Sequence, residues 1–143
     1  MRKTDEQLRI LIVEDDYQLA SEWQEKLHAH GFLVDVVSNA DDAILLLPNN
    51  YDCFIIDLFH VKNDKFLPDG GINCIGYIKR HNINRSTKSL IITVTGHFRD
   101  KHSNSVATDQ VTRNLGADYT LKKPIGISTL LDIIENWKDS PSS

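Results

Sequence analysis

The sequence predicts a three-layer α/β fold, a parallel five-stranded sheet between two layers of helices, on three observations. Short apolar runs alternate with stretches of helical periodicity along the chain. The runs are almost continuously apolar, as strands covered on both faces must be. The length, 143 residues with 41% hydrophobic and 25% charged, suits one domain with a full core and leaves no room for a second.

Arg9 to Val13 carries Ile10-Leu11-Ile12-Val13 and stops abruptly at Glu14-Asp15-Asp16, which reads as a first buried strand. From Tyr17 to about His30, Leu19, Trp23 and Leu27 recur at a spacing of four and give a helix one apolar face, with Gly31 as its stop. Phe32 to Val37 is the second strand. Ser38 or Asn39 caps the next helix, whose stripe is Ala43, Ile44 and Leu47 and whose end is Pro48-Asn49-Asn50. Cys53 to Leu58 is the third strand. A polar segment, 59 to 69, holds Pro68, and Ile72, Ile75 and Ile78 then mark a helix from Gly70 to about His81. Leu90 to Val94 is the fourth strand, Asp100 to Leu115 a weaker helical stretch ending at Gly116, and Tyr119 to Lys122 a fifth strand closed by Lys123-Pro124. Ile127, Leu130, Leu131, Ile134 and Trp137 line one face of a last helix.

Charge and composition exclude several roles. A net charge of −4 argues against a surface built for nucleic acid or anionic lipid, which needs clustered Lys and Arg. No apolar stretch is long enough to cross a membrane, and residues 1 to 9 are charged rather than signal-like, so a cytoplasmic location is expected. Cys53 and Cys74, the two cysteines, have no metal spacing and read as buried free thiols.

Right-handed crossovers and a single reversal in strand order give the flavodoxin-like (βα)5 arrangement, strand order 2-1-3-4-5. Ligands of such sheets sit at the carboxyl ends of the strands beside the reversal. Glu14 and Asp15 end strand one, Asp57 strand three, Thr95 strand four and Lys123 strand five. Strands one and three are neighbours, so carboxylates crowd there. Two of them about 4 Å apart repel by roughly 4 kcal/mol at an effective dielectric near 20, a large part of a stability of about 5–15 kcal/mol. Either one takes up a proton or a hard divalent cation lies between them, and Mg²⁺ is the better fit because it accepts one or two carboxylates and leaves positions for phosphoryl oxygens. Asp16 stands just before the helix and reads as its N-cap, outside the site. Lys123 is the cation facing the acids, Thr95 a hydroxyl donor, and Lys122 points to solvent.

From Arg9 to Trp137 these motifs resemble the receiver domain of two-component response regulators. Ile10-Leu11-Ile12-Val13-Glu14-Asp15-Asp16 is similar to that family's first strand and acidic pair, Ile55-Ile56-Asp57-Leu58 to its phosphoacceptor strand, and Val94-Thr95-Gly96 to its switch threonine. Gly116-Ala117-Asp118-Tyr119 with Lys123-Pro124 is similar to its last strand, lysine and cis peptide bond. The resemblance implies a receiver over residues 9–138 with flexible termini at 1–8 and 139–143. It implies that Asp57 accepts a phosphoryl group from a sensor histidine kinase or histidine phosphotransfer protein. Asp15, Asp57 and the backbone carbonyl of Phe59 would bind Mg²⁺ directly, and Glu14 through water. Lys123 would pair with the acids and the phosphoryl group, and Thr95 would swing in to reshape an output surface for a downstream protein target. The family is a signalling domain that assists its own phosphorylation and dephosphorylation, not an enzyme with a separate substrate, and some members form homodimers.

Three features depart from the family pattern. Thr120 stands where an aromatic generally lies three residues before the lysine, with Tyr119 one step earlier. The segments 59–69 and 96–110 are longer than usual. His60, His97 and His102 fall in them without the spacing of a zinc site. Of the rival readings, a haloacid-dehalogenase-type phosphatase needs a second Asp where this chain has Phe59. A flavin-binding flavodoxin needs a phosphate loop where it has Glu14-Asp15-Asp16. The alternative that keeps the fold is a receiver-like interaction module that is never phosphorylated.

Overall fold

The computed structural model describes residues 7–62, 65–68, 71–96 and 116–140. In chain order these form β1 (Arg9–Val13), α1 (Tyr17–Ala29), β2 (Leu33–Val37), α2 (Ala40–Leu46), a 3₁₀ turn (Leu47–Asn49), β3 (Cys53–Asp57), β4 (Phe59–Lys62), β5 (Lys65–Pro68), α3 (Gly71–Arg85), β6 (Leu90–Thr95), β7 (Tyr119–Lys122) and α4 (Ile127–Asp139). The expected helix over 100–115 lies outside the described residues.

Five strands pair in parallel in the order β2-β1-β3-β6-β7, which is the 2-1-3-4-5 order expected of the fold. β3 and β6 are buried throughout and β1 from Ile10 onward, whereas the edge strands β2 and β7 mix exposed and half-buried positions. Alternate residues of the central strands therefore feed two apolar layers. Ile10, Ile12, Cys53, Ile55, Ile92 and Val94 pack with Trp23 and Leu27 of α1 and Leu130 and Ile134 of α4. Leu11, Val13, Phe54, Ile56 and Ile91 pack with Ala43 of α2 and Cys74, Ile75 and Ile78 of α3.

Local chemistry sets the ends of the elements. Asp16 and Asn39 cap α1 and α2 by accepting from the backbone amides of Leu19 and Asp42 at 3.1 and 2.8 Å. Gly31, at φ +95°, lets the amide of Phe32 return to the carbonyl of Leu27 at 3.3 Å. Pro48 does not simply end α2 but sits in the first turn of the 3₁₀ segment, where its missing N–H is harmless. At the foot of the sheet two carboxylates stand in for strand partners: Asp52 accepts from the amide of Arg9 at 2.9 Å and Asp118 from that of Ile91 at 2.8 Å.

Several boundaries differ from the sequence reading. Residues 59–68 hold an antiparallel hairpin rather than a structureless loop: Phe59 pairs with Pro68 and Lys62 with Lys65. The β-forming Phe59, Val61 and Phe66 flank a two-residue turn, a pattern that favours a hairpin. Leu8, expected in a flexible leader, is buried and its carbonyl accepts from the amide of Leu33 at 2.9 Å. Asp139, expected in a flexible tail, closes α4. α3 runs four residues past His81, because nothing before Ser86 breaks it. Its end is fixed by Asn82, whose carbonyl accepts from the amide of Thr87 at 2.9 Å and whose side chain meets the hydroxyls of Thr87 and Ser89 at 3.0 and 3.2 Å.

Ser86 itself adopts φ +55°, a left-handed conformation costly for any residue with a Cβ. Replacing it with glycine relieves that strain at the usual helix-end position for glycine. The expected result for Ser86→Gly is a gain of about 0.5–1 kcal/mol in urea unfolding; a neutral or destabilised variant contradicts it.

Candidate functional site

Parallel order leaves one crevice between the carboxyl ends of β1 and β3, where the connections leaving these two strands run to opposite faces of the sheet, through α1 and toward α3. The backbone there is tied down. The amide of Glu14 donates to the carbonyl of Val37 at 3.0 Å, that of Leu58 to Val94 at 3.0 Å and that of Lys123 to Thr95 at 2.8 Å. Each side chain the sequence singles out is thus fixed by a strand end, and the Lys123–Pro124 bond is cis.

Glu14, Asp15 and Asp57 come together, with one carboxylate oxygen from each within 4.8 Å of the others. Glu14 and Asp57 are buried and Asp15 is exposed. The Lys123 ammonium reaches over this group from β7, donating to Glu14 Oε1 at 2.7 Å and lying 3.7 Å from Asp57 Oδ2. Thr95 is buried at the end of β6, and its hydroxyl donates to the carbonyl of Leu121 at 3.4 Å. Asp16 turns away to cap α1, and Lys122 is exposed. Phe59 opens β4 two residues beyond Asp57. The side chain of His60 and the whole of His97 and His102 lie outside what the structure describes.

Among the described residues one cation faces three carboxylates, which leaves the crevice short of positive charge. Burial above all, then the negative charge of Glu14, pushes the Asp57 carboxyl up to about 8, against the opposing pull of Lys123. Among the described residues Glu14 Oε2 is buried without a hydrogen-bond partner, an arrangement that ordinarily costs about 1–3 kcal/mol or more for a charged group. Both features fit a hard cation. Three carboxylate oxygens this close together are the kind of ligand set a hard divalent cation takes. With a metal and Lys123 drawing on its oxygens, an ionised Asp57 at the mouth of the crevice is a nucleophile, and the Thr95 hydroxyl is a donor to a bound anion.

Sequence reasoning missed the pairing across β6 and β7: Thr93, fully buried, lies with its hydroxyl 2.9 Å from that of Thr120. The alternation Thr93-Val94-Thr95 was the signal, since two hydroxyls on one face of an interior strand require partners. The cysteines are buried as expected, and burial raises both thiols, Cys74 to about 11.

The comparisons with known proteins agree with this geometry. The family model for the response regulator receiver domain matches residues 10–135. The transcriptional regulatory protein CpxR of Klebsiella pneumoniae subsp. pneumoniae (strain HS11286) is 28% identical over 116 residues, 81% of this chain and 43% of that protein, so the chain spans less than half of that relative. Among solved structures, a CheY-like receiver domain protein from Methanospirillum hungatei JF-1 superposes with a TM-score of 0.71 at 24% identity, covering 94% of this chain and 95% of that one. The beryllofluoride-activated NtrC4 receiver domain dimer gives 0.70 at 25% identity, covering 90% and 93%. A response regulator protein from Burkholderia pseudomallei, with a phosphorylated aspartic acid, calcium ion and citrate, gives 0.67 at 21% identity, covering 92% and 73%. The acidic crevice at the sheet reversal, the lysine reaching into it from the last strand and the family match over residues 10–135 lead to one conclusion: this chain belongs to the response regulator receiver domain family, a signalling domain of two-component systems.

Proposed function

We propose that Asp57 is the phosphoacceptor, receiving a phosphoryl group from the phosphohistidine of a sensor histidine kinase or a histidine phosphotransfer protein. The observation that carries this reading is a buried aspartate at the sheet reversal, crowded by Glu14 and faced by a single lysine. An Asp57 oxygen attacks phosphorus, a P–O bond forms, and the P–N bond to the donor imidazole breaks with its electron pair returning to the ring. Lys123, already in contact with Glu14, follows the growing negative charge, and the Thr95 hydroxyl leaves the Leu121 carbonyl for a phosphoryl oxygen. Asp15, Asp57 and the Phe59 carbonyl would hold Mg²⁺, with Glu14 holding it through water. When bound, Mg²⁺ supplies charge neutralisation of the carboxylates and of the phosphoryl oxygens. The metal-bound, phosphorylated Burkholderia relative supports a divalent ion at such a crevice.

The switched surface acts by contact with a downstream protein. A net charge of −4 disfavours direct binding to nucleic acid. No described helix is long and apolar enough to cross a membrane, and the proposed site of action is the cytoplasm. The dimeric NtrC4 relative makes a homodimer the assembly to test first.

Two outcomes are expected. Incubated with Mg²⁺ and acetyl phosphate, the wild-type protein gains one phosphoryl group by intact mass and Asp57→Asn gains none; equal labelling of the two removes Asp57 from the mechanism. The second concerns pH. Because Asp57 is raised from 3.8 to about 8, the metal-free folded state holds more protons than the unfolded state between those values. The contribution of this carboxyl to stability is thus largest at low pH and is lost as pH rises toward 8. Metal binding must expel the proton, so Mg²⁺ affinity by calorimetry should weaken by up to about tenfold per unit as pH falls below 8. Mg²⁺ should raise Tm more at pH 8 than at pH 6. Affinity independent of pH over that range contradicts the assignment of Asp57 as a ligand.

A further inference from the structure

β6 is apolar but for two hydroxyls, Thr93 and Thr95, both buried. A buried hydroxyl needs a partner, and both find theirs on β7. The Thr93 hydroxyl is 3.1 Å from the carbonyl of Tyr119 and 2.9 Å from the hydroxyl of Thr120, while Thr95 reaches the carbonyl of Leu121 at 3.4 Å. Thr93 stands directly opposite Thr120 in the register, and Thr95 opposite Lys122, the residue before Lys123.

These contacts differ in strength. The 2.9 Å contact of Thr93 with Thr120 has an ordinary length, its 3.1 Å contact with Tyr119 is slightly long, and the 3.4 Å contact of Thr95 lies at the weak limit. Thr93 has a single proton, so both of its contacts are made when Thr120 donates to Thr93 and Thr93 donates on to Tyr119. An anionic oxygen on Asp57 is a stronger acceptor than a peptide carbonyl, so it draws Thr95 away from Leu121 at small cost and gives Thr93 no reason to move. β7 therefore has a releasable tether at Leu121 and a fixed one at Tyr119–Thr120.

We propose that Thr93 and Thr120 are positioning residues that anchor the first half of β7, so that occupancy of Asp57 is felt at Leu121–Lys122 and not at residue 120. This rests on the phosphoacceptor reading above. The short side chain of Thr120, hydrogen-bonded to the neighbouring strand, has few alternative positions to adopt.

The test is residue-resolved amide exchange of the full chain by NMR, with and without beryllofluoride and Mg²⁺, alongside phosphoryl uptake from acetyl phosphate. In the wild type, activation should change exchange at Leu121 and Lys122 at least fivefold and leave Tyr119 and Thr120 within twofold. In Thr93→Val and Thr120→Val, which keep side-chain volume, the change should spread to Tyr119 and Thr120 while the rate of phosphoryl uptake stays within twofold. Thr120→Ser, which keeps the hydroxyl, should restore the wild-type pattern. A wild-type response as large at Thr120 as at Leu121, or valine variants that behave as the wild type, overturns the proposal. Phosphoryl uptake by the wild type with no change anywhere in β7 also overturns it and leaves the phosphoacceptor reading standing. No uptake at all defeats that reading first.

Discussion

Everything at the head of this domain follows from burying Glu14 and Asp57 side by side with a single ammonium to serve both. The arrangement is electrostatically short of one or two positive charges, and Glu14 Oε2, which has no hydrogen-bond partner among the described residues, marks where one is wanted. A domain whose total stability is on the order of 5–15 kcal/mol keeps such a cluster only because the strands beneath it leave no alternative. β3 is buried along its whole length, so a shift of its register would carry the charged residues at its ends, Asp52 and Asp57, toward the apolar layers. The apolar sheet thus holds the acids in place, and their unmet charge is what a metal and a phosphoryl group can act upon.

The foot of the same sheet makes the contrast clear. Asp52 and Asp118 are also carboxylates at strand ends, yet each accepts from a backbone amide. Residue type and position at a strand end do not make a site; convergence of several strand ends at a topological reversal does. That is why Glu14, Asp15, Asp57, Thr95 and Lys123 carry meaning when read together, whereas any one of them alone reads as a cap or a solvated end.

Strand order and the two helix layers are legible because each rests on periodicity over many residues, and the convergence of Glu14, Asp15, Asp57 and Lys123 follows from the strand order that places their strand ends together. Features resting on short range are not. The β4–β5 ribbon is hidden because Lys62, Asn63, Asp64 and Lys65 look like polar loop, and the pairing of Val61 with Phe66 in the backbone register shows only in the structure. The extension of α3 to Arg85 turns on Asn82, whose clamp on Thr87 and Ser89 cannot be inferred until the loop is folded. Leu8 was assigned to a leader because its neighbours are charged, although its own side chain completes the layer under α1. Thr120 was noticed for the ring it lacks, and the partner it has, Thr93, becomes visible only in the register of β6 against β7.

The two cysteines have a further consequence. Cys53 belongs to the layer beneath α1 and α4 and Cys74 to the layer beneath α2 and α3, and burial holds both as unreactive thiols. Each half of the core thus carries one dormant chemical clock. The order in which the two thiols become available to an alkylating reagent records which side of the sheet opens first, with no label added to the chain.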